Sequence, residues 1–166
     1  MTQGLPFAES HYTLATCSLR AVHNTEDARV LSTMLVTMEP WRSLRYTADA
    51  LERYLLREDA GLHRYVVEVQ NQTSGIVCVR YPWLLGAYLE LLGLGVAAQG
   101  GGVGSDVMRW LEEQTSLASR NVWALVSGFN TNAREFYARL GYHEIGPIKD
   151  LVEPGYDEIL LRKVVR

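Results

Sequence analysis

Cysteine is scarce in this chain. Cys17 and Cys78 are the only two in 166 residues, far apart and each inside an apolar, strand-like run. That excludes a disulfide scaffold and a thiolate-bound metal, and leaves both as small core residues suited to a reducing compartment. The four histidines (His11, His23, His63, His143) show no ligand spacing with one another or with the cysteines, so no metal is expected. Neither sign of charge dominates. A net charge of −3, with no basic or acidic tract, speaks against a nucleic-acid surface. No apolar stretch approaches the roughly 20 residues of a membrane span, and Met1 to Glu9 lacks the basic and apolar regions of a signal peptide. The expectation is a soluble, cytoplasmic protein without a membrane partner.

What remains is ordinary globular composition, 48% hydrophobic and 21% charged. The length suits one domain over residues 1–166, enough to bury about two-thirds of its unfolded surface. There is no linker, internal repeat or low-complexity segment. Tyr12 to Leu19 reads as a first strand. Asn24 to Val36 reads as a helix capped by Asn24 or Thr25, and Ala48 to Arg57 as a second capped by Thr47. Strands are expected at His63 to Gln70 and Gly75 to Trp83, joined through the turn Asn71-Gln72-Thr73-Ser74, and then at Gly86 to Val96. Gly102 to Leu117 is helical, with Val103, Val107, Trp110 and Leu111 on one face. Asn121 to Ser127 is a buried strand, Asn132 to Leu140 a short helix stopped by Gly141, and Tyr142 to Ile148 and Tyr156 to Val164 a last pair of strands. The order βααβββαβαββ supports a mixed α/β fold.

The most informative stretch is Val96-Ala97-Ala98-Gln99-Gly100-Gly101-Gly102-Val103-Gly104-Ser105. A strand turning through glycines into a helix start points several unpaired N–H groups one way. The helix dipole adds positive potential there, so such a turn suits an anion, most often a phosphate. A Walker-type loop is excluded, because Ser105 and Asp106 stand where the lysine would be needed. A dinucleotide fingerprint at Gly93, Gly95 and Ala98 fits poorly. Its helix would have to begin inside the motif, and Glu112 and Glu113 lie within a helix rather than at a strand tip. Two readings stay open: a pyrophosphate turn of the form Gln-x-x-Gly-x-Gly (Gln99, Gly102, Gly104) and a plain glycine hinge.

That form resembles the pyrophosphate-binding signature of the GNAT superfamily of N-acetyltransferases, which bind acetyl-coenzyme A. Asn130, Ala133, Tyr137, Gly141 and Tyr142 fall at the spacing of a second pattern of the same family, in the expected order. Gln99 departs mildly, standing where arginine is common, and Gly100 and Gly101 loosen the turn. The resemblance spans Gly86 to the C-terminus. It implies a mixed, splayed sheet flanked by helices, with the acyl carrier lodged in a V-shaped gap.

The resemblance implies the following site. Main-chain amides from Gln99 through Gly100, Gly101, Gly102, Val103, Gly104 and Ser105 would hold the pyrophosphate, and Leu94, Gly95 and Val96 would offer backbone bonds to the pantetheine arm. Gly93 and Gly95 mark a bulge or a close approach in this reading, and a simple sheet kink in the other. Asn130 and Ala133 would border the carrier, Asn130 bonding it or capping the following helix. Tyr137 would protonate the departing thiolate, or pack as a core tyrosine. Glu90 stands where a branch of the family places its general base; the alternatives are a solvated glutamate or a partner for Arg80. The acceptor pocket draws on Glu39, Trp41, Arg42, Tyr46, Tyr81, Trp83 and Tyr156, with Glu39, Trp41, Tyr81 and Trp83 as the substrate-binding candidates.

The reaction expected from this resemblance is direct attack of a small-molecule or peptide primary amine in a ternary complex, since neither cysteine falls in a motif. A catalytically silent coenzyme A-binding module is the alternative, a nucleotide-binding domain a weaker one. Exposed aromatics are compatible with a homodimer.

Overall fold

Asn24 accepts a hydrogen bond from the Asp27 N–H at 2.8 Å, and Thr47 accepts one from Ala50 at 3.2 Å. These side chains satisfy otherwise orphaned amides and start the first two helices, α1 (Thr25–Leu35) and α2 (Ala48–Leu56). The computed structural model describes residues 4–166, so the first three positions of the Met1–Glu9 stretch lie outside it. Before α1 come two short strands rather than the single one expected, β1 (His11–Thr13) and β2 (Ser18–Ala21). They form a hairpin closed by Leu14 N–H donating to Cys17 O at 2.8 Å. Its tip has neither glycine nor proline. It is tied down instead by Thr16, whose hydroxyl donates to Asp106 at 2.7 Å.

The remaining elements are β3 (Leu62–Val69), β4 (Gln72–Trp83), β5 (Gly86–Leu94), a 3-10 turn (Val96–Ala98), α3 (Val103–Ser116), β6 (Asn121–Ser127), α4 (Thr131–Arg139), β7 (His143–Ile148) and β8 (Glu158–Val164). The β3–β4 turn is Gln70-Asn71, two residues earlier than expected. Both have positive φ, 51° and 62°, the geometry a two-residue hairpin requires. β5 stops at Leu94 rather than Val96, because Gly95 donates to Ser74 O at 2.7 Å and then starts the 3-10 turn.

One eight-stranded sheet results, in the order β1-β2-β3-β4-β5-β6-β8-β7. Only β5 and β6 run parallel, joined through α3. One face packs Leu89, Val122 and Ala124 against Val107 and Leu111 of α3. The other packs Val66, Ile76 and Leu91 against Leu31, Leu35, Leu51 and Leu55 of α1 and α2. Leu89 and Leu91 thus face opposite ways although two residues apart. The cause is a bulge: Leu89 pairs Val79 and Leu91 pairs Cys78, leaving Glu90 as the extra residue. The phase slip lies at Glu90, not at Gly93 or Gly95. Gly93 is glycine for another reason, since a Cβ there would run into Leu35 of α1.

Both cysteines are buried and unpaired, as expected. Among the described residues, no helix is long and apolar enough to cross a membrane.

Candidate active site

β5 and β6 pair only from Gly86 to Leu89 against Asn121 to Ala124. Past that point β5 continues to Leu94 and β6 to Ser127 with no ladder between them. The sheet therefore opens into a V, with unpaired backbone on its inner edges. A cavity of about 940 Å³ fills this opening and runs from the glycine turn to the α1–α2 connection. That volume lies at the upper end of the usual range for small-molecule clefts.

The glycine turn closes one end. Gly100 and Gly102 have φ of 76° and 82°, a left-handed conformation that side chains resist. A Cβ on Gly100 or Gly101 would meet open space. The first bond of α3 runs from Asp106 N–H to Gly102 O at 3.0 Å, and no partner among the described residues takes the N–H groups of Val103, Gly104 and Ser105. Three free amides at the positive end of a 14-residue helix, on an uncluttered approach, have the charge and geometry that suit an anion. Gly104 has a different role, since a Cβ there would press on Phe136 and Leu94 at 3.2 and 3.3 Å. The glycine lets α3 sit against α4. The Gln99 side chain does not join the free amides; it donates to Leu94 O at 2.9 Å and braces the turn.

Of the residues singled out from sequence, Leu94, Gln99, Gly100, Gly102, Val103, Gly104, Ser105, Asn130, Ala133, Tyr137 and Glu90 line the cavity. Gly95, Val96 and Gly101 do not. Gly95 is engaged with Ser74, and the Val96 side chain points to solvent, 88% exposed. Asn130 caps α4, accepting from Ala133 N–H at 3.2 Å. Its oxygen is used in this way, and its amide NH₂ is left over at the cavity wall.

Tyr137 is buried, and its hydroxyl makes no hydrogen bond among the described residues. Burial pushes its pKa up, so the phenol keeps its proton at neutral pH. Glu90 is held by Arg80, Nε to Oε2 at 2.6 Å, and Arg80 also reaches Asp59 at 3.1 Å. The pairing with Arg80 weighed from sequence is therefore present.

On the acceptor side, Glu39 and Trp41 line the cavity, Glu39 paired with Arg42 at 2.7 Å and Trp41 packed beneath α1. Tyr81 and Trp83 do not reach it. Tyr81 projects onto the α3 face, beside Phe7 at 5.6 Å between ring centroids. Trp83 stacks between Tyr88 and Trp123 at the far end of the sheet, 4.9 and 5.8 Å away. The irregular register between Arg80 and Trp83 sets both orientations.

Sequence reasoning missed Tyr54, Tyr88, Ser127 and Glu158, all cavity-lining. Glu158 is 5% exposed and accepts from Ser127 Oγ at 2.8 Å. Burial raises its pKa, with the Ser127 bond acting in the opposite sense. A glutamate opening an otherwise apolar strand, Glu158-Ile159-Leu160-Leu161, was the available signal. Such a residue reads equally well as a strand-end surface charge.

Residues 27–142 match the model of the acetyltransferase (GNAT) family. A comparison with curated protein sequences found no match. Among solved structures, the chain resembles a probable GNAT-family acetyltransferase from Chromobacterium violaceum, at 14% identity and a TM-score of 0.76, over 94% of this chain and 91% of that one. It also resembles RimJ of Mycobacterium smegmatis, solved with CoA-disulfide, at 18% identity and a TM-score of 0.73, over 97% and 90%. A third is the Salmonella typhimurium acetyl transferase that modifies the N-terminal serine of ribosomal protein L7/L12, at 16% identity and a TM-score of 0.73, over 92% and 96%. At such identities these structures speak to the fold alone. The family model covers more than half the sequence, and Gln99, Gly102, Gly104, Asn130, Ala133 and Tyr137 border the splayed cavity. The chain belongs to the GNAT acetyltransferase family.

Proposed function

We propose that this protein transfers an acetyl group from acetyl-CoA to a primary amine by direct attack in a ternary complex. The observation that carries the reading is the row of free amides at Val103 to Ser105, at one end of a cavity whose other end holds carboxylates and tyrosines. The amides suit a pyrophosphate, and the edge of β5 beyond Leu89, which has no ladder to β6, suits an amide-bearing arm. The thioester supplies an activated acetyl carbon. As the amine nitrogen bonds to it, the C–S bond breaks and sulfur leaves as thiolate.

Tyr137 is the group we assign to protonate that thiolate, because its hydroxyl is protonated, unbonded and on the cavity wall. Glu39, Glu90 and Glu158 are the cavity carboxylates, and one of them takes the proton of the incoming ammonium. The acceptor is a small amine or a peptide amine; a relative that modifies an N-terminal serine makes a free peptide α-amine one natural arm of a screen.

Thermal denaturation with ligands tests the first half. At a hundred times its dissociation constant a ligand stabilises by about 2.7 kcal/mol, so acetyl-CoA raises the melting temperature while ATP and NAD do not. An acetyl-transfer screen against diverse amines tests the second half. Binding without any turnover would replace the enzyme reading with a coenzyme A-binding module.

A further inference from the structure

The three carboxylates of the cavity differ in one respect. Glu39 is paired with Arg42 at 2.7 Å and Glu90 with Arg80 at 2.6 Å. Glu158 has no cationic partner among the described residues, and its bond is the one it accepts from Ser127 Oγ. Ser127 and Glu158 are register partners at the ends of β6 and β8. On its other side Glu158 pairs with Ile148 of β7, which brings no charge.

Resting on the acetyltransferase reading and deepening it, we propose that Glu158 receives the acceptor as its ammonium ion and removes one proton from it. The acceptor is accordingly a primary amine that is cationic in solution. Burying an ionisable carboxylate without a counter-ion costs stability, and such groups concentrate where function requires them. The titratable groups lining the same cavity are Tyr88 and Glu90 from β5, Glu39 and Tyr46 from the α1–α2 connection, Tyr54 from α2, and Tyr137 and Arg139 from α4. Arg139 makes no bond to Glu158. Burial and then the charge of Glu158 raise the pKa of Tyr46, and burial, then Glu90, then Glu158 raise that of Tyr88. Aromatic rings beside a carboxylate favour a cation.

The proton step balances as R–NH₃⁺ + Glu158–COO⁻ → R–NH₂ + Glu158–COOH. It frees the nitrogen lone pair for the C–N bond. Tyr137 gives its proton to the thiolate, the second amine proton restores Tyr137, and Glu158 returns its own to solvent after turnover. Desolvation favours the step, because two buried charges are replaced by two neutral groups.

The test compares the wild type with Glu158→Gln, whose amide still accepts from Ser127. The acceptor arms are phenethylamine, spermidine, a peptide with a free N-terminal serine, and an N-acetylated peptide carrying one lysine. Wild-type kcat/KM is expected to rise with pH and level off once Glu158 is ionised. In Glu158→Gln it falls about a hundredfold at pH 7, and rises tenfold per pH unit with no plateau as free amine forms in solution, while acetyl-CoA affinity stays within about twofold. A second readout needs no turnover. A carboxylate whose folded pKa is raised contributes stability that is complete below its unfolded pKa and is lost as pH rises through the folded one. Glu158→Gln therefore melts above the wild type at neutral pH, and the gap closes in acid. Equal rates and equal pH profiles in the two proteins overturn the assignment, and so does Glu158→Gln melting below the wild type at neutral pH. Should the wild type acetylate no arm, the acetyltransferase reading itself falls, and this assignment with it.

Discussion

At the scale of single residues, glycines with the same name do different jobs. A Cβ on Gly93 would collide with Leu35 and lie 3.2 Å from Trp41, both buried and unable to yield cheaply. Gly93→Ala is expected to lower stability by about 1–3 kcal/mol in urea titrations, the usual cost of overpacking. Gly101→Ala enters open space without a positive φ and stays within about 0.5 kcal/mol of the wild type. Tyr137→Phe separates chemistry from packing. The lost hydroxyl has no partner among the described residues, so the melting temperature holds, whereas kcat drops by roughly a hundredfold in steady-state assays if the phenol supplies the proton. A variant that melts early but turns over normally would return Tyr137 to the core.

Elements act through their ends here. The amide oxygen of Asn130 caps α4, and its NH₂ faces the cavity. Asn130→Asp keeps an acceptor for Ala133 N–H and holds stability, and Asn130→Ala loses about 1 kcal/mol. Calorimetry then decides the second role: if the NH₂ bonds the acyl carrier, Asn130→Asp weakens acetyl-CoA binding although the helix is intact. The start of α3 is built in reverse, with no side-chain cap at Gly102 and its amides left free. Its tilt is set from behind, by Gly104 against Phe136 and by the Thr16–Asp106 bond.

Across the whole molecule, the carboxylates held by a neighbouring cation or hydroxyl fix how stability responds to acid. The Arg20 guanidinium holds Asp27 below the usual carboxylate range, the Thr16 hydroxyl and then Arg109 do so for Asp106, and Arg134 for Glu144. Depressed pKa values contribute stability that is complete above the unfolded values and lost as pH falls through the folded ones. The urea midpoint is thus expected to hold down to about pH 4 and to drop below it. Glu158 acts with the opposite sign. Removing it leaves the acid limb in place and flattens the decline toward neutral pH.

Helix caps at Asn24, Thr47 and Asn130, the buried strand at Asn121 to Ser127, and the glycine turn were all legible in the chain. Each is a local signal, a side chain meeting its own backbone within three or four residues or a period that repeats along one strand. The hairpin at Leu14 to Cys17 carried no turn residue, because its anchor is Asp106, 90 positions away. Nor does any local pattern reveal that β5 parts from β6 after Leu89, that the bulge at Glu90 turns that side chain toward Arg80, or that Glu158 meets Ser127 across 31 residues. Sequence by itself determined most of the elements and the glycine turn, which depend on neighbours along the chain. Tertiary structure alone decided which carboxylate stands unpaired in the cleft, because the burial and pairing of a charge depend on strands that meet only when the sheet assembles.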